Sequence, residues 1–145
     1  MERFSIHVFE PSGPPEDDLL SLNLQALRDA GFEVDHTPLH EDTLTRLALD
    51  GVDLRIRQIQ AALGSAHRYL LSARGGYGAS ELLSRLDWKA LAQSPPKMLI
   101  GFSDLSALQS AFFTRLGWPA LHAPMPGSPL WQEGPGIDEL TRLLR

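Results

Sequence analysis

Cysteine is absent from the 145 residues of the chain. This absence excludes disulfides, a thiol nucleophile and cysteine-ligated zinc, and it is typical of proteins in a reducing compartment. Long apolar runs are also missing, because no stretch approaches the roughly 18 residues that cross a bilayer. The first residues lack the pattern of a signal peptide. We therefore expect a cytoplasmic protein with no membrane partner.

Positive charge is scarce as well. The chain carries 13 Lys and Arg against 18 Asp and Glu, which gives a formal net charge of −5. Arg55 and Arg57 are isolated on a predicted helix, so no basic run argues for nucleic acid as a partner. The length, and a hydrophobic content of 43%, are sufficient for one domain with a real core.

Short apolar segments alternate with helical patterns along the chain. The pattern predicts strands at 4–9, 32–36, 69–72, 98–100 and 119–121, and helices at 17–30, 41–49, 53–63, 80–86, 104–116 and 137–145, with a helix break at Gly51. Such alternation predicts an α/β fold with three layers, in which helices cover both faces of a parallel sheet. Proline and glycine become frequent after residue 124. We therefore predict one α/β domain over residues 1–125, and a linker with the start of a helix over residues 126–145.

Two motifs follow neighbouring predicted strands. The glycine cluster Ala73–Gly78 (ARGGYG) follows the third strand, and the serine turn Gly101–Ser106 (GFSDLS) follows the fourth. Parallel sheets bind ligands outside the carboxyl ends of their strands, so we expect both motifs and the loop at Pro11 to gather at one edge. Backbone N–H groups of the cluster and a hydroxyl on a sharp turn indicate an oxyanion hole and a nucleophile.

Each motif also has a simpler explanation when it is taken alone. Ser103 or Asp104 can be a helix N-cap, and the turn lacks a glycine two residues after the serine. The glycine cluster can be a tight turn or a phosphate-binding loop, although it matches neither a Walker loop nor a dinucleotide fingerprint. Arg74 can bind a substrate carboxylate or form an ion pair that holds the loop. Tyr77 can line a groove or pack against the protein.

In this order, the motifs together resemble the LD-carboxypeptidase family of serine peptidases, which includes murein tetrapeptide carboxypeptidases and microcin-immunity peptidases. The resemblance covers nearly the whole chain. It rests on PSGP at 11–14, ARGGYG at 73–78, LDW at 86–88, PK at 96–97, GFSDLSAL at 101–108 and HAPM at 122–125. Four positions depart from the family pattern: Glu10, Ser106, Gln109 and Ala123.

The resemblance implies a set of roles. Ser103 is the nucleophile, and the backbone N–H groups of Asp104 and Gly76 form the oxyanion hole. Four residues around them contact the substrate: Ser12, Arg74, Gly75 and Tyr77. The implied fold is a flavodoxin-like or class I glutamine-amidotransferase-like nucleophile domain. Neither a metal nor an organic cofactor is implied.

The implied reaction is hydrolysis of the amide that joins a terminal D-amino acid to a murein tetrapeptide, a step of peptidoglycan recycling. The alternatives are a microcin-immunity peptidase acting on an acyl–nucleotide amide, and an inert fragment that only binds. In the family, the His and Glu of the Ser-His-Glu triad lie in a C-terminal domain. The chain is thus expected to end at the linker into that domain, to be inactive alone, and to form a homodimer when full length.

The histidines have simpler, structural explanations. His122 is the local candidate for a base, although the family gives that position a structural role. His7 is expected to be packed or hydrogen-bonded in strand one, and His67 to be solvated. Pro38 separates His36 from His40, which argues against a metal pair.

Two further residues carry expectations about the site. Glu10 directly precedes the Pro11 loop, and a carboxylate near the site can alter its preference for substrate charge; the sequence leaves open whether Glu10 does so. Trp131 is expected in a loop that faces the missing domain.

Overall fold

The computed structural model describes residues 4–39, 49–131 and 136–145. Within them, five strands form one sheet: β1 (Ser5–Phe9), β2 (Glu33–His36), β3 (Tyr69–Ser72), β4 (Met98–Gly101) and β5 (Ala120–His122). All neighbouring strands are parallel, in the order β2-β1-β3-β4-β5. This is the flavodoxin-like strand order. Val8 of β1 aligns with His36 on one side and with Leu71 on the other.

Six helices lie in the described residues: α1 (Asp17–Asp29), α2 (Leu49–Gly64), α3 (Ala79–Leu82), α4 (Trp88–Leu91), α5 (Ser106–Leu116) and α6 (Gly136–Leu144). Two 3-10 turns occupy Ser103–Leu105 and Pro129–Trp131. None of these helices is long and apolar enough to span a bilayer.

Some predicted helix boundaries were wrong. The helix predicted at 80–86 ends at Leu82, and the helix predicted from residue 104 opens with a 3-10 turn. The helix predicted at 41–49 lies outside the described residues except for Leu49. The predicted break at Gly51 is wrong, because α2 continues through this buried glycine. A helical glycine costs about 1 kcal/mol, and burial of Val52 and Ile56 in the core offsets that cost.

Alternating strand residues face two separate apolar cores. Ile6 and Val8 of β1 pack on the side that includes Leu20, Leu24 and Leu27 of α1 and Leu140 and Leu144 of α6. Phe9 packs on the opposite side, with apolar residues of α2, α3, α4 and α5. Period-two alternation in the strands therefore separates two helical layers. The predicted α/β fold with three layers is confirmed.

Residues 126–131 and α6 pack against the rest of the α/β domain. Trp131 is 5% exposed in the core of α1 and α6, and the expectation that its loop faces a further domain stays a prediction. Asn23 Nδ2 donates a hydrogen bond to Pro126 O at 2.7 Å, and Gly127 N–H donates to Ala73 O at 2.7 Å. These residues therefore pack as part of the α/β domain. The domain boundary at residue 125 stays a prediction.

A buried histidine pair lies between β1 and the start of β3. The rings of His7 and His67 meet edge to face with centroids 5.5 Å apart. His67 is buried and its Nε2 lies 2.7 Å from Asp35 Oδ2, so the prediction that it is solvated is wrong. His7 is packed, as predicted, and neither of its ring nitrogens has a hydrogen-bond partner in the described structure. Burial, and next the charge of His67, lower the pKa of His7 below its ordinary value of 6.5.

The pKa of His7 predicts a pH dependence of stability. Because the folded state binds the proton more weakly than the unfolded state, the free energy of unfolding falls as the pH drops below 6.5. The contribution is at most about 1.4 kcal/mol per pH unit. Urea unfolding between pH 8 and 5.5 should show a steeper loss of stability for the wild-type chain than for His7→Phe, which keeps a ring and cannot ionise. Equal slopes for the two proteins would contradict this assignment.

Candidate active site

Three loops meet at the carboxyl edge of the sheet. Gly13 N–H, in the loop after β1, donates a hydrogen bond to Gly75 O, after β3, at 2.9 Å. A β-carbon added at Gly75 would lie 3.1 Å from Ser103 Cβ, after β4. The predicted gathering of these motifs at one edge is confirmed. It follows from the pairing of β1 with β3 and of β3 with β4.

Ser103 has a strained backbone. Its φ is +61°, and no other non-glycine residue in the described parts of the chain has a positive φ. This left-handed conformation costs an L-residue roughly 1–2 kcal/mol. Strain of this kind clusters at functional sites, and the turn of a nucleophile elbow is strained so that it exposes its serine hydroxyl. Ser103 is exposed at the edge of the sheet.

The glycine cluster leaves open space beside the serine hydroxyl. A β-carbon at Gly75 would lie 3.3 Å from Ser103 Oγ and 3.4 Å from Met125 Cε. A side chain there would therefore crowd the hydroxyl. The space forms an open pocket of about 170 Å³. Its lining comprises Arg74, Gly75, Gly76, Phe102, Ser103, Met125 and Ser128.

Asp104 joins the two motifs through its side chain. Asp104 Oδ2 accepts a hydrogen bond from Ala79 N–H, the first residue of α3, at 2.9 Å. Neither Ser103 nor Asp104 caps its own helix with its side chain, so the simple N-cap explanation is wrong. The carboxylate instead satisfies a free N–H at the start of α3, where Gly78 has no side chain to do so. The serine turn and the glycine cluster are thereby held together.

Gly76 occupies a conformation that only glycine adopts readily. Its φ is +111°, and an added β-carbon would lie 3.2 Å from both the N and the Cα of Gly13. Gly76 lines the pocket with Ser103, and Asp104 lies in the 3-10 turn that begins at Ser103. The structure brings the two predicted oxyanion donors to the serine, and their roles stay predictions.

The predicted substrate contacts lie at different depths. Arg74 is exposed and its Nη1 donates to Pro14 O at 2.7 Å, so it holds the neighbouring loop through a carbonyl rather than through the ion pair offered as one alternative. Tyr77, within the glycine cluster, is 59% exposed. Ser12 is fully buried and is not among the residues that line the pocket. Substrate binding by these residues and by Gly75 stays a prediction.

Glu10 is not among the residues that line the pocket. Glu10 is buried, and its Oε2 lies 2.8 Å from His36 Nε2 and accepts the N–H of Leu39 at 3.2 Å. The carboxylate of Glu10 therefore contacts groups of the protein itself. Its position next to Pro11 in the sequence suggested a place near the pocket. Successive side chains of a strand point to opposite faces, so sequence proximity alone does not decide where the carboxylate lies.

His122, the local candidate for a base, is the last residue of β5. The His122 ring contacts the Phe102 ring at a tilt of 46°, with centroids 5.5 Å apart, and His122 lines a separate cavity beside Leu140 of α6. Within 4–39, 49–131 and 136–145, no three His, Asp or Glu residues are grouped so that they could hold a metal ion.

Two buried polar side chains behind the site were not recognised from the sequence. Gln109 of α5 has its Nε2 3.1 Å from each of three carbonyl oxygens, those of Leu99, Gly101 and Leu121, and so ties β4 to β5 below the serine turn. Arg55 of α2 is fully buried, although an isolated arginine on a helix is usually solvated. For Arg55, the glycine at position 78, where an added β-carbon would meet the guanidinium, is a sequence signal.

Comparison with known proteins gives relatives over most of the chain. The family model described as the LD-carboxypeptidase N-terminal domain matches residues 6–123. A putative carboxypeptidase of Streptomyces coelicolor is 40% identical over 126 residues, which cover 83% of this chain and 40% of the relative. The murein tetrapeptide carboxypeptidase of Pseudomonas aeruginosa is 34% identical over 121 residues, which cover 83% of this chain and 39% of the relative.

A solved structure gives the same result in three dimensions. The crystal structure of an MccF-like protein from Bacillus anthracis superposes with a TM-score of 0.82 at 25% identity, over 99% of this chain and 45% of that one. The chain spans about two fifths of the length of the curated relatives named above. The order of its motifs, its sheet and these matches lead to one conclusion: the chain belongs to the LD-carboxypeptidase N-terminal domain family.

Proposed function

We propose that this chain is the nucleophile-bearing domain of a serine carboxypeptidase of the LD type. The observation that carries the proposal is the left-handed backbone of Ser103, at φ +61°, beside the bare surface of Gly75. This geometry presents a hydroxyl beside the glycine cluster, and the backbone N–H groups that acyl transfer needs are assigned to the cluster as part of the proposal. The family match and the carboxypeptidase names of its relatives support the same reaction class.

The proposed reaction has two steps. Ser103 Oγ attacks the carbonyl carbon of the scissile amide, and its proton passes to a general base. The backbone N–H groups of Gly76 and Asp104 stabilise the oxyanion of the tetrahedral intermediate. The C–N bond then breaks, the amine leaves with the proton, and water hydrolyses the acyl-enzyme. From the family resemblance, we propose that the base and its orienting carboxylate are a His and a Glu of a further C-terminal domain.

The proposed substrate is a murein tetrapeptide whose terminal D-amino acid is released. The name of the Pseudomonas aeruginosa relative supports this class of substrate. Arg74 supplies an exposed guanidinium in the lining of the pocket, where it can bind a terminal carboxylate. Its present bond to a single carbonyl, Pro14 O, leaves further donors of the guanidinium for such a ligand.

A second candidate substrate is an acyl–nucleotide amide. It is favoured by the superposition on the MccF-like structure, which extends over 99% of the chain. MccF is the microcin C7 self immunity protein, and the family resemblance gives the microcin-immunity type this substrate. Both candidates require the same nucleophile and oxyanion hole, because both are amides. They differ in the group that leaves, which is a small D-amino acid in one case and a nucleotide in the other.

The two candidates can be separated with one protein. The chain is joined to the C-terminal part of the Pseudomonas aeruginosa enzyme that it does not cover; we call this the fused protein. We expect D-alanine release from a murein tetrapeptide, at a kcat/KM at least about tenfold above that for an aminoacyl–nucleotide amide. The unaltered Pseudomonas aeruginosa enzyme is the positive control. Cleavage of the nucleotide amide alone would favour the second candidate, and cleavage of neither would contradict the proposal.

A further inference from the structure

Arg55 contacts two of the three loops of the candidate site from the side of α2. Its Nη1 donates hydrogen bonds to Pro11 O at 3.1 Å and to Gly78 O at 2.7 Å. Its Nη2 donates to Glu81 Oε2 at 2.9 Å. The guanidinium is fully buried, whereas the side chain of Glu81 is 33% exposed. One cation therefore joins the loop after β1, the glycine cluster after β3 and the helix α3.

Gly78 is shaped to accept this guanidinium. A β-carbon at Gly78 would lie 2.6 Å from Arg55 Nη1, so any side chain there would force the arginine away. Burial of a cation is expensive unless hydrogen bonds and a counter-charge compensate it. The two carbonyl oxygens and the Glu81 carboxylate provide that compensation. The cluster and Arg55 thus fit each other directly.

We call the contact of the Gly13 backbone with Gly75 and Gly76 the joint. The contacts of Arg55 lie on both sides of it in the sequence. Pro11 is two residues before Gly13, whose N–H holds Gly75 O and whose backbone packs against Gly76. Gly78 is two residues after Gly76 and precedes Ala79, whose N–H is bound by Asp104. Movement of either carbonyl would therefore shift Gly76 relative to the serine turn.

We propose that Arg55 is a positioning residue, which holds the glycine cluster in the conformation where the Gly76 N–H faces the Ser103 site. The catalytic part of this inference rests on the proposed function. Arginine suits the role because its planar guanidinium directs several donors in fixed directions and stays charged when buried. Lysine keeps the charge but is a single point, so it cannot hold both carbonyls and Glu81 in the same geometry.

Hydrogen exchange in the 145-residue chain tests the structural part without any activity. In Arg55→Lys and Arg55→Met, the Gly13 and Ala79 amides should exchange about tenfold faster than in the wild type, because each lies at the loosened joint. The amide of Leu99, which binds Pro119 O, should be unchanged. The matched control is Arg85→Met. Arg85 pairs with Asp53 of α2, the helix that also carries Arg55, but its side chain is 44% exposed. Unchanged exchange at Gly13 and Ala79 in Arg55→Lys, or equal acceleration at all three amides, would overturn the inference.

Kinetics of the fused protein test the catalytic part. Arg55→Lys should lower kcat for D-alanine release by about tenfold to a hundredfold with KM nearly unchanged, because a misplaced oxyanion donor affects the transition state more than substrate binding. A purely structural role would lower the amount of folded enzyme without changing kcat per active site, and an unchanged kcat would overturn the inference. If the unsubstituted fused protein released no D-alanine, the proposed function would fail, and the exchange data would still decide whether Arg55 holds the cluster.

Discussion

Replacement of Ser103 by alanine is expected to lower kcat of the fused protein by about 10⁴-fold or more. Loss of the nucleophile removes the covalent step, and the residual rate would come from binding and the oxyanion hole alone. The free energy of unfolding should change by less than about 0.5 kcal/mol, because alanine adopts the left-handed backbone of Ser103 no better than serine does. D-alanine release and urea unfolding measure the two effects.

Ser103→Gly separates the strain of this residue from its chemistry. Glycine adopts φ +61° without steric cost, so this variant should be as inactive as Ser103→Ala but more stable than the wild type by about 1 kcal/mol. Such a gain would mean that folding energy is spent to expose the hydroxyl. A stability equal to or below that of the wild type would argue against strain at Ser103. Turnover by either variant at the wild-type rate would remove Ser103 from the mechanism.

Replacement of Gly76 by alanine is expected to have the second largest effect, a loss of about 10²–10³-fold in kcat with little change in KM. The φ of +111° at Gly76 disfavours any side chain, and the added methyl would meet the Gly13 backbone at 3.2 Å. The cluster must therefore shift, and its N–H would no longer point at the developing oxyanion. Loss of one such donor costs about this much in other hydrolases.

Gly64→Ala is the matched control for this substitution. Gly64 ends α2, has no positive φ, and an added β-carbon there would meet nothing within 4 Å. It should keep wild-type kcat and KM. If Gly76→Ala behaved like Gly64→Ala, the proposed oxyanion role of Gly76 would be wrong. If Gly76→Ala were also less stable, its unfolding curve would show the loss. Because kcat is counted per folded molecule, that loss alone would not lower kcat.

The sequence predicted those parts of the fold that depend on local pattern. Five strands, their parallel pairing and the meeting of the loops at Pro11, Gly75 and Ser103 follow from alternation of apolar segments and from the handed geometry of β-α-β units. Gly51 was mistaken for a helix break because its local helix propensity is low, whereas burial of α2 against the sheet decides its conformation. His67 was predicted to be solvated because its partner, Asp35, lies 32 positions away in the sequence.

The polar contacts behind the site were beyond local prediction for the same reason. Arg55 is separated from Gly78 by 23 positions and from Pro11 by 44, and only the packing of α2 brings them together. Asp104 resembled an N-cap of its own helix, yet its carboxylate reaches Ala79, 25 positions earlier. The motif residues themselves were identifiable, because their order along the chain resembles that of the LD-carboxypeptidase family. Their supports were not, because a long buried side chain reveals its partner only in three dimensions.

The most direct test of the account is to find which residue of the fused protein reacts with a fluorophosphonate, a reagent that phosphonylates activated serine hydroxyls. Mass spectrometry of the digested protein should place one adduct on the peptide that contains Ser103, and the adduct should be absent from Ser103→Ala. Weaker labelling of Gly76→Ala would agree with a shared oxyanion hole, since the phosphonyl oxygen occupies the same position. An unmodified Ser103, or an adduct on another residue that persists in Ser103→Ala, would contradict the claim that Ser103 is the nucleophile.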